Sequence, residues 1–169
     1  MSDKKKFNTL RLTNAAISTA IIFLVTRFIQ IPIPLGYFNI GNVVILLICL
    51  LIPTHDAAFA GGVGSALADL TSYPVYTLPT LVIKSAMVYL FNAVLKINPS
   101  KYAIKIMAAA IATLIPLFGY TVVGMVLYGG FVAGIAQFPG LFLEYVANLI
   151  IFSILLKPVE KIRRFIVSE

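Results

Sequence analysis

Long apolar stretches, separated by short segments rich in proline, glycine or charge, limit most strongly what this chain can fold into. Hydrophobic residues make up 60% of its 169 residues, and charged residues make up only 11%. Soluble domains are usually about 45–50% apolar and about 25% charged. A water-soluble core of this length cannot bury so much apolar surface, so the sequence predicts an integral membrane protein.

Breaks in the apolar pattern divide the chain into six predicted spans. Prolines and glycines at 31–42, 72–79 and 128–140 interrupt helices, and polar turns lie at 53–56 and around Pro99. The predicted fold class is an all-α integral membrane protein, with the whole chain forming one compact bundle of six transmembrane helices. The predicted spans are about 12–31, 41–52, 57–71, 79–96, 103–128 (interrupted by Pro116 and Gly119) and 141–157.

The second and third predicted spans are shorter than the ~20 residues that a helix needs to cross a bilayer. These two spans are therefore compatible with re-entrant segments as well as with full crossings. The distribution of positive charge favours six full crossings.

Lysine and arginine are concentrated in three segments of the sequence. Of thirteen such residues, eleven lie in the N-terminal lead, between the fourth and fifth spans, and in the C-terminal tail. Six crossings place all three segments on one side of the membrane, which the positive-inside rule makes cytoplasmic. Both termini are therefore predicted to be cytoplasmic. The net charge of +7 then reflects topology and attraction to membrane lipid headgroups, and does not indicate nucleic-acid binding.

Four charged residues remain inside the predicted spans: Arg27, Asp69, Lys84 and Glu144. A charge in hydrocarbon costs about 2.5–3.5 kcal/mol on insertion scales, so each is a functional candidate. The predicted topology places all four within roughly 10 Å of the external surface. This placement predicts a polar ligand pocket that opens to the outside. The alternative is that the two bases extend toward the surface while the two acids pair with them. Two acids and two bases sum to zero, which favours a neutral or zwitterionic ligand.

Polar and aromatic residues near these charges complete the predicted pocket. Asn148 lies one helical turn after Glu144 on the same face. Tyr37 and Tyr76 lie in the outer loops, where they either form an interfacial aromatic belt or stack on a flat heterocycle. The candidate substrate-binding residues are Glu144, Asn148, Lys84, Arg27, Tyr37, Asn39, Asn42, Gln137, Tyr76 and Asp69.

The sequence has no motif for ATP hydrolysis, metal binding or nucleophilic catalysis. It lacks a phosphate-binding glycine loop with a lysine, and its single histidine, His55, lies in a predicted cytoplasmic turn. We therefore expect no enzyme activity, no metal and no cofactor in this chain. If the chain takes part in active transport, other subunits must supply the energy.

The order GYFNIGNVVILL, a proline turn, GGVGSALADL and PTLVIKSAMVYL resembles the substrate-binding S components of energy-coupling factor (ECF) vitamin transporters, in particular the riboflavin and hydroxymethylpyrimidine types. The resemblance covers the whole chain in length and layout, and its motifs lie mainly in residues 36–90. The departure is Pro53-Thr54-His55-Asp56, where the family often has a Gly-Pro turn.

This resemblance implies a vitamin-binding pocket at the outer face, capped by the loop between the first two helices. It also implies partners: a transmembrane coupling subunit and two cytoplasmic ABC ATPases, which use the ATP. Ala16 and Ala20 match the Ala-x-x-x-Ala face on which the family's coupling subunit docks.

The leading hypothesis is thus an ECF S component in a bacterial plasma membrane. Hydroxymethylpyrimidine or pyridoxine is the expected ligand, followed by riboflavin and pantothenate. A stand-alone facilitator or channel is the alternative, and it would need polar residues through the inner half of the bundle. A membrane-embedded enzyme is disfavoured because the sequence has no catalytic constellation.

Overall fold

The structure is a computed structural model that describes residues 2–33 and 36–167, with side chains described for 9–32 and 37–162. Within the described residues, seven α-helices follow one another, and a short antiparallel hairpin separates the first two. The elements are α1 (Ser2–Phe28), β1 (Gln30–Ile33), β2 (Gly36–Asn39), α2 (Gly41–Ile48), α3 (Thr54–Ser72), a 3-10 turn (Pro74–Tyr76), α4 (Thr77–Leu95), α5 (Tyr102–Ala112), α6 (Leu114–Leu127) and α7 (Phe131–Val167).

The hairpin corrects the end of the first predicted span, while the described chain remains a helical bundle. α1 ends at Phe28, and residue 31 lies in β1 rather than in the helix. Gln30 pairs with Asn39, and Pro32 pairs with Tyr37. The physical reason is Pro32, because a proline disfavours helical conformation in the residue that precedes it. The loop predicted at 31–42 therefore contains paired strand residues, and β2 lies against the bundle.

In the part of the chain that the structure describes, four segments are long and apolar enough to cross a membrane: Thr9–Phe28, Pro74–Leu95, Tyr102–Leu127 and Phe131–Ile162. α2 has eight residues and is about 12 Å long, so it is too short to cross a bilayer alone. The prediction of six full helical crossings is therefore not confirmed. The membrane-protein class and the helical bundle are confirmed.

The fifth predicted span is broken at Thr113, three residues before the predicted site at Pro116. α5 ends at Ala112, and α6 begins at Leu114. Pro116 explains this position, because a proline cannot bond to the carbonyl four residues earlier and its ring clashes with that group. Gly119 does not interrupt α6. A Cβ at Gly119 would lie 3.0 Å from the Ile83 side chain, so this glycine allows close packing on α4.

The glycine-rich loop predicted at 128–140 is helical from Phe131 onward. The turn is confined to Gly129 and Gly130, whose φ angles of 85° and 128° favour glycine. Gly134 lies inside α7, where a Cβ would approach the Thr121 carbonyl oxygen to 2.8 Å. Glycines that suggested a loop therefore allow α6 and α7 to pack closely. α7 also extends to Val167, beyond the end predicted at 157.

Small residues of α3 form the centre of the bundle. A Cβ at Gly64 would lie 2.7 Å from the Thr19 carbonyl oxygen, so α1 and α3 are in backbone contact there. Away from the hairpin, large apolar side chains fill the bundle, and Phe91 meets Phe152 edge to face at 6.1 Å. Other fully buried members of this core are Ile22, Ile45, Leu46, Met87, Val88 and Leu156.

Candidate ligand-binding site

A polar cavity of about 340 Å³, a volume that includes its open mouth, lies between β2, the end of α3, the 3-10 turn, α6 and the first part of α7. Small-molecule sites usually combine apolar and aromatic walls with a few polar groups, which is the composition of this lining. The cavity is lined by Tyr37, Asn39, Asp69, Tyr76, Tyr120, Gln137, Leu141 and Glu144.

A second space of about 200 Å³ adjoins this cavity. The two share Tyr120, Leu141 and Glu144 as a common wall. The second space reaches toward the break between α5 and α6, and its other lining residues are Asn42, Thr113, Pro116, Leu117 and Tyr145.

Glu144 is held from one side by two asparagine amides. Its Oε1 accepts a hydrogen bond from Asn42 Nδ2 at 3.2 Å and a longer one from Asn39 Nδ2 at 3.5 Å. Asn42 Oδ1 in turn accepts a hydrogen bond from Lys84 Nζ at 2.6 Å. Lys84 is buried, and its ammonium lies 5.2 Å from the centroid of the Tyr120 ring. The lysine therefore reaches Glu144 through Asn42, from behind the cavity wall.

Asp69 accepts hydrogen bonds from two hydroxyl groups. Tyr37 donates from β2, and Thr80 donates from the first turn of α4. The Thr80 oxygen also lies 2.9 Å from the Tyr120 hydroxyl, which becomes the donor because the Thr80 proton is directed at Asp69. Burial, followed by the negative charge of Asp69, raises the pKa of the Tyr37 hydroxyl well above its ordinary value. Tyr37 therefore remains a donor and ties the hairpin to α3.

Asn148 connects α7 to the end of the hairpin. Its Nδ2 donates to the Asn39 carbonyl at 3.0 Å and to the Glu144 carbonyl at 2.8 Å. Its Oδ1 accepts from the backbone N–H of Val43 at 3.3 Å. Asn148 does not line either space, so its geometry is that of a positioning residue for Asn39 and Glu144.

Gln137 and Tyr76 close the end of the cavity near the α6–α7 turn. Gln137 Nε2 donates to the Tyr76 hydroxyl at 3.3 Å. A Cβ at position 124 would collide with the Gln137 amide, which explains why Gly124 is required in α6. The Tyr76 ring meets Tyr120 edge to face, with centroids 6.0 Å apart.

Nine of the ten residues predicted for the pocket meet around these two spaces. Lys84 and Asn148 lie directly behind the wall, and Arg27 is outside it. The Arg27 guanidinium lies 5.9 Å from the centroid of the Phe28 ring. The seven that line the two spaces are Tyr37, Asn39, Asn42, Asp69, Tyr76, Gln137 and Glu144.

The alternative from the sequence was that the two acids pair directly with the two bases, and the side-chain contacts of Lys84 do not agree with it. Among the described side chains, Lys84 forms an ion pair with neither Asp69 nor Glu144. Ion pairs instead join Arg11 to Asp56 and Lys105 to Glu160, outside the cavity. The donors to the carboxylates at the cavity are hydroxyl and amide groups.

Sequence reasoning missed Tyr120 and Thr80, which complete the hydrogen-bond network of Asp69. Both are uncharged, so a search for charges inside apolar spans does not find them. Thr80 precedes Lys84 by four residues and therefore lies on the same face of α4. Extending the search to hydroxyl groups on the faces that carry charged residues would have found Thr80. Finding Tyr120 would have required a search for hydroxyl groups close to a proline that breaks a helix.

Two further predictions concern the small-residue face of α1 and metal binding. Ala16 and Ala20 are both exposed on one face of α1, while Ala15 and Ser18 face inward. Within the described residues, no three His, Cys, Asp or Glu side chains are grouped as a metal ion would require.

Comparisons with known proteins identify a family for the sequence and a match for the fold. The sequence model of the family described as "ECF-type riboflavin transporter, S component" matches residues 6–161. A protein of Pyrococcus woesei, described as "Uncharacterized protein in gap 3'region", is 35% identical over 132 residues, which cover 77% of this chain and 88% of that protein.

A solved structure described as "Structure and mechanism of the S component of a bacterial ECF transporter" has the same fold. It superposes with a TM-score of 0.72 and 17% sequence identity, covering 92% of this chain and 98% of that chain. At this identity the likeness concerns the fold.

Proposed function

The chain belongs to the family of ECF-type riboflavin transporter S components, and on that premise we propose that it captures a small vitamin or vitamin precursor at the outer face of the membrane. S components associate with an ECF transporter module. We propose that this module consists of a transmembrane coupling subunit and two cytoplasmic ABC ATPases, and that its ATP hydrolysis drives uptake. The chain itself would bind neither ATP nor another cofactor.

The observation that carries this proposal is the cavity beside the hairpin. It brings two carboxylates, two carboxamides and three tyrosine rings together around one partly open space. The seven predicted residues that line the two spaces are the proposed ligand contacts. Lys84 and Asn148 are the proposed positioning residues, because they hold Asn42, Asn39 and Glu144 in place.

A flat ring with several hydrogen-bonding groups fits this lining best. Tyr37 and Tyr76 offer aromatic faces, and Glu144 and Gln137 offer polar groups at the ring edge. Hydroxymethylpyrimidine and pyridoxine are therefore our first candidates. Riboflavin is the second, because the matching family description names it. Pantothenate comes after these, since it has no ring.

We further propose that the chain lies in a bacterial plasma membrane with both termini in the cytoplasm. The three basic segments support this orientation through the positive-inside rule. In this orientation the hairpin and the cavity face outward, where an importer meets its substrate. α2 and α3 would complete the six-segment layout, with α2 reaching only part of the way across.

A stand-alone channel is less consistent with the packing beyond the cavity. The side chains of Ile45, Leu46, Met87 and Phe91 are buried there and leave a dry apolar core. A hydrated path would need polar groups along the same route. This core therefore favours a binding subunit that depends on partners.

Binding by the purified chain tests the proposal directly. Calorimetry with hydroxymethylpyrimidine, pyridoxine, riboflavin and pantothenate should give one-to-one binding with a nanomolar dissociation constant for one of them. Mass spectrometry of small molecules that co-purify from the native host should identify the same compound. No binding across this panel, together with no co-purified compound, would overturn the proposal.

Transport in vesicles separates an S component from a channel. Uptake of the bound compound should require the coupling subunit, the two ATPases and ATP inside the vesicle. Full uptake by the chain alone would favour the facilitator.

A further inference from the structure

The fixed charges around the cavity do not balance. Asp69 and Glu144 both line it, and each is at most 5% exposed. Among the described residues, the cation in contact with this network is Lys84, which lies behind the wall on Asn42. Arg27, which would complete a neutral set of four charges, is not part of the lining. With both acids ionised, two negative charges thus face one positive charge.

Glu144 keeps an acceptor open toward the cavity. Both asparagine amides donate to its Oε1, and an amide nitrogen can only donate. Among the described hydrogen bonds, Oε2 receives none. This oxygen remains accessible from the cavity, so a donor inside the cavity can reach it. A ligand that carries an N–H group is therefore placed to donate to it.

The aromatic walls favour a cation as well. Tyr37, Tyr76 and Tyr120 line the same cavity as the two acids. The faces of aromatic rings carry partial negative charge and attract ammonium and other nitrogen cations. The nearby lysine already uses this attraction, since Lys84 lies over the Tyr120 ring. The rings and the carboxylates therefore both favour a positively charged ligand.

We propose that the ligand carries a positive charge when bound, on a ring nitrogen or an ammonium group that donates to Glu144 Oε2. This inference rests on the proposed function and names the chemical class of its substrate. It replaces the expectation from the sequence of a neutral or zwitterionic ligand. That expectation counted Arg27 among the charges of the pocket. Anionic ligands such as pantothenate are disfavoured. A pyridine or aminopyrimidine ligand would bind in its protonated form, since a neighbouring carboxylate favours the protonated base.

Calorimetry with ligands of different charge tests this inference. We would compare thiamine as a permanent cation, pyridoxamine as an ammonium, hydroxymethylpyrimidine and pyridoxine as bases with a ring nitrogen, riboflavin as a neutral compound and pantothenate as an anion. Each titration would be repeated in two buffers with different enthalpies of ionisation. We expect the tightest ligand either to be a cation in solution or to take up about one proton on binding.

The outcomes separate this inference from the proposed function. Tightest binding of riboflavin or pantothenate, or binding of a base without proton uptake, would overturn the charge assignment and uphold a vitamin-binding S component. If none of the six compounds binds, both the charge assignment and the proposed function are overturned. The quaternary ring nitrogen of thiamine has no proton to donate, so tighter thiamine than pyridoxamine would support the positive charge but overturn its hydrogen bond to Glu144 Oε2. The reverse order would assign the charge to an ammonium that donates to this oxygen.

An isosteric variant tests the role of the carboxylate. Glu144→Gln keeps the shape of the side chain but loses its charge, so affinity for the cationic ligand should fall about 30-fold, as expected for a charge-assisted hydrogen bond. Asp56→Asn is the matched control, because Asp56 pairs with Arg11 outside the cavity. It should leave affinity unchanged. Equal affinity of Glu144→Gln and wild type, with unchanged thermal unfolding of both variants, would contradict the inference.

Discussion

The side-chain amide of Asn148 donates a hydrogen bond to the backbone carbonyl of Asn39 over 3.0 Å, although the two residues are 109 positions apart in the chain. The same side chain accepts from the backbone N–H of Val43 at the start of α2. One residue of α7 therefore sets where the hairpin ends and where α2 begins. Since Glu144 is one turn earlier on α7, the hairpin and the carboxylate are positioned together.

Replacing Asn148 with alanine should weaken both the fold and ligand binding. The substitution leaves the Asn39 carbonyl without its side-chain partner, while the Val43 N–H keeps its bond to the Ile40 carbonyl. A buried unsatisfied group costs about 1–3 kcal/mol. We expect a lower thermal unfolding temperature and a loss of affinity of about tenfold or more. Asn14→Ala is the control, because the Asn14 side chain is exposed on α1, away from the cavity. Equal effects of the two substitutions would argue against a positioning role for Asn148.

Replacing Tyr37 with phenylalanine should loosen the hairpin over the cavity. The ring and its stacking on Tyr73, with centroids 5.2 Å apart, are kept, while the hydrogen bond to Asp69 is lost. A hydrogen bond to a charged group contributes about 1.5–3 kcal/mol, so we expect ligand dissociation to be faster by about tenfold or more. Stopped-flow or surface-based kinetics would measure the rate. Tyr73→Phe keeps the same stack and removes a hydroxyl without a described hydrogen bond, so it should dissociate at the wild-type rate.

Lys84 and Glu144 should be energetically coupled through Asn42. Lys84→Met alone removes the buried positive charge that reaches Glu144 through Asn42, so it should lower the free energy of unfolding. The double variant Lys84→Met/Glu144→Gln removes both charges and should lose less stability than the two single variants added together. Thermal or denaturant unfolding of all four proteins gives the coupling energy. Strict additivity would show that the lysine does not compensate Glu144.

Replacing Gly64 with alanine should destabilise the contact between α1 and α3. The new Cβ would lie 2.7 Å from the Thr19 carbonyl oxygen, and backbone cannot move aside as a side chain can. Overpacking of this kind costs about 1–3 kcal/mol. Gly119→Ala makes the same chemical change against the flexible Ile83 side chain, so it should be close to neutral. A stability of Gly64→Ala equal to that of Gly119→Ala in unfolding experiments would contradict the proposed backbone contact.

A tryptophan at Ala16 should block uptake and spare ligand binding. Ala16 and Ala20 are exposed on one face of α1, away from the cavity, and small residues let a partner helix approach closely. Vesicles that contain the complete transporter would measure uptake, and calorimetry on the isolated chain would measure binding. Ala93→Trp places the same bulk on an exposed site of α4 and should transport normally. Normal uptake by Ala16→Trp would show that this face is not the docking surface.

The candidate site was predictable where a residue stands out from its local surroundings. Asp69, Lys84 and Glu144 are charges within apolar helices, and Asn148 follows Glu144 by one helical turn. Thr80 and Tyr120 do not stand out in this way, although they complete the network around Asp69. Arg27 was misplaced because the first helix was predicted to continue to residue 31. It ends at Phe28, so Arg27 lies in the last turn, where a cation is favourable at the helix C-terminus.

The sequence by itself determined the membrane class, the helical bundle, the close-packed character of α3 and the presence of charges that need partners. Hydrophobic composition and small-residue spacing are local properties, so they can be read along the chain. Tertiary structure alone decided which donors reach each carboxylate, because these hydrogen bonds join residues as far as 105 positions apart. It also decided that Lys84 reaches Glu144 through Asn42 while Arg27 lies elsewhere. The charge of the cavity follows from that packing, because helix ends and their contacts, rather than the number of acids and bases, decide which charges face the ligand.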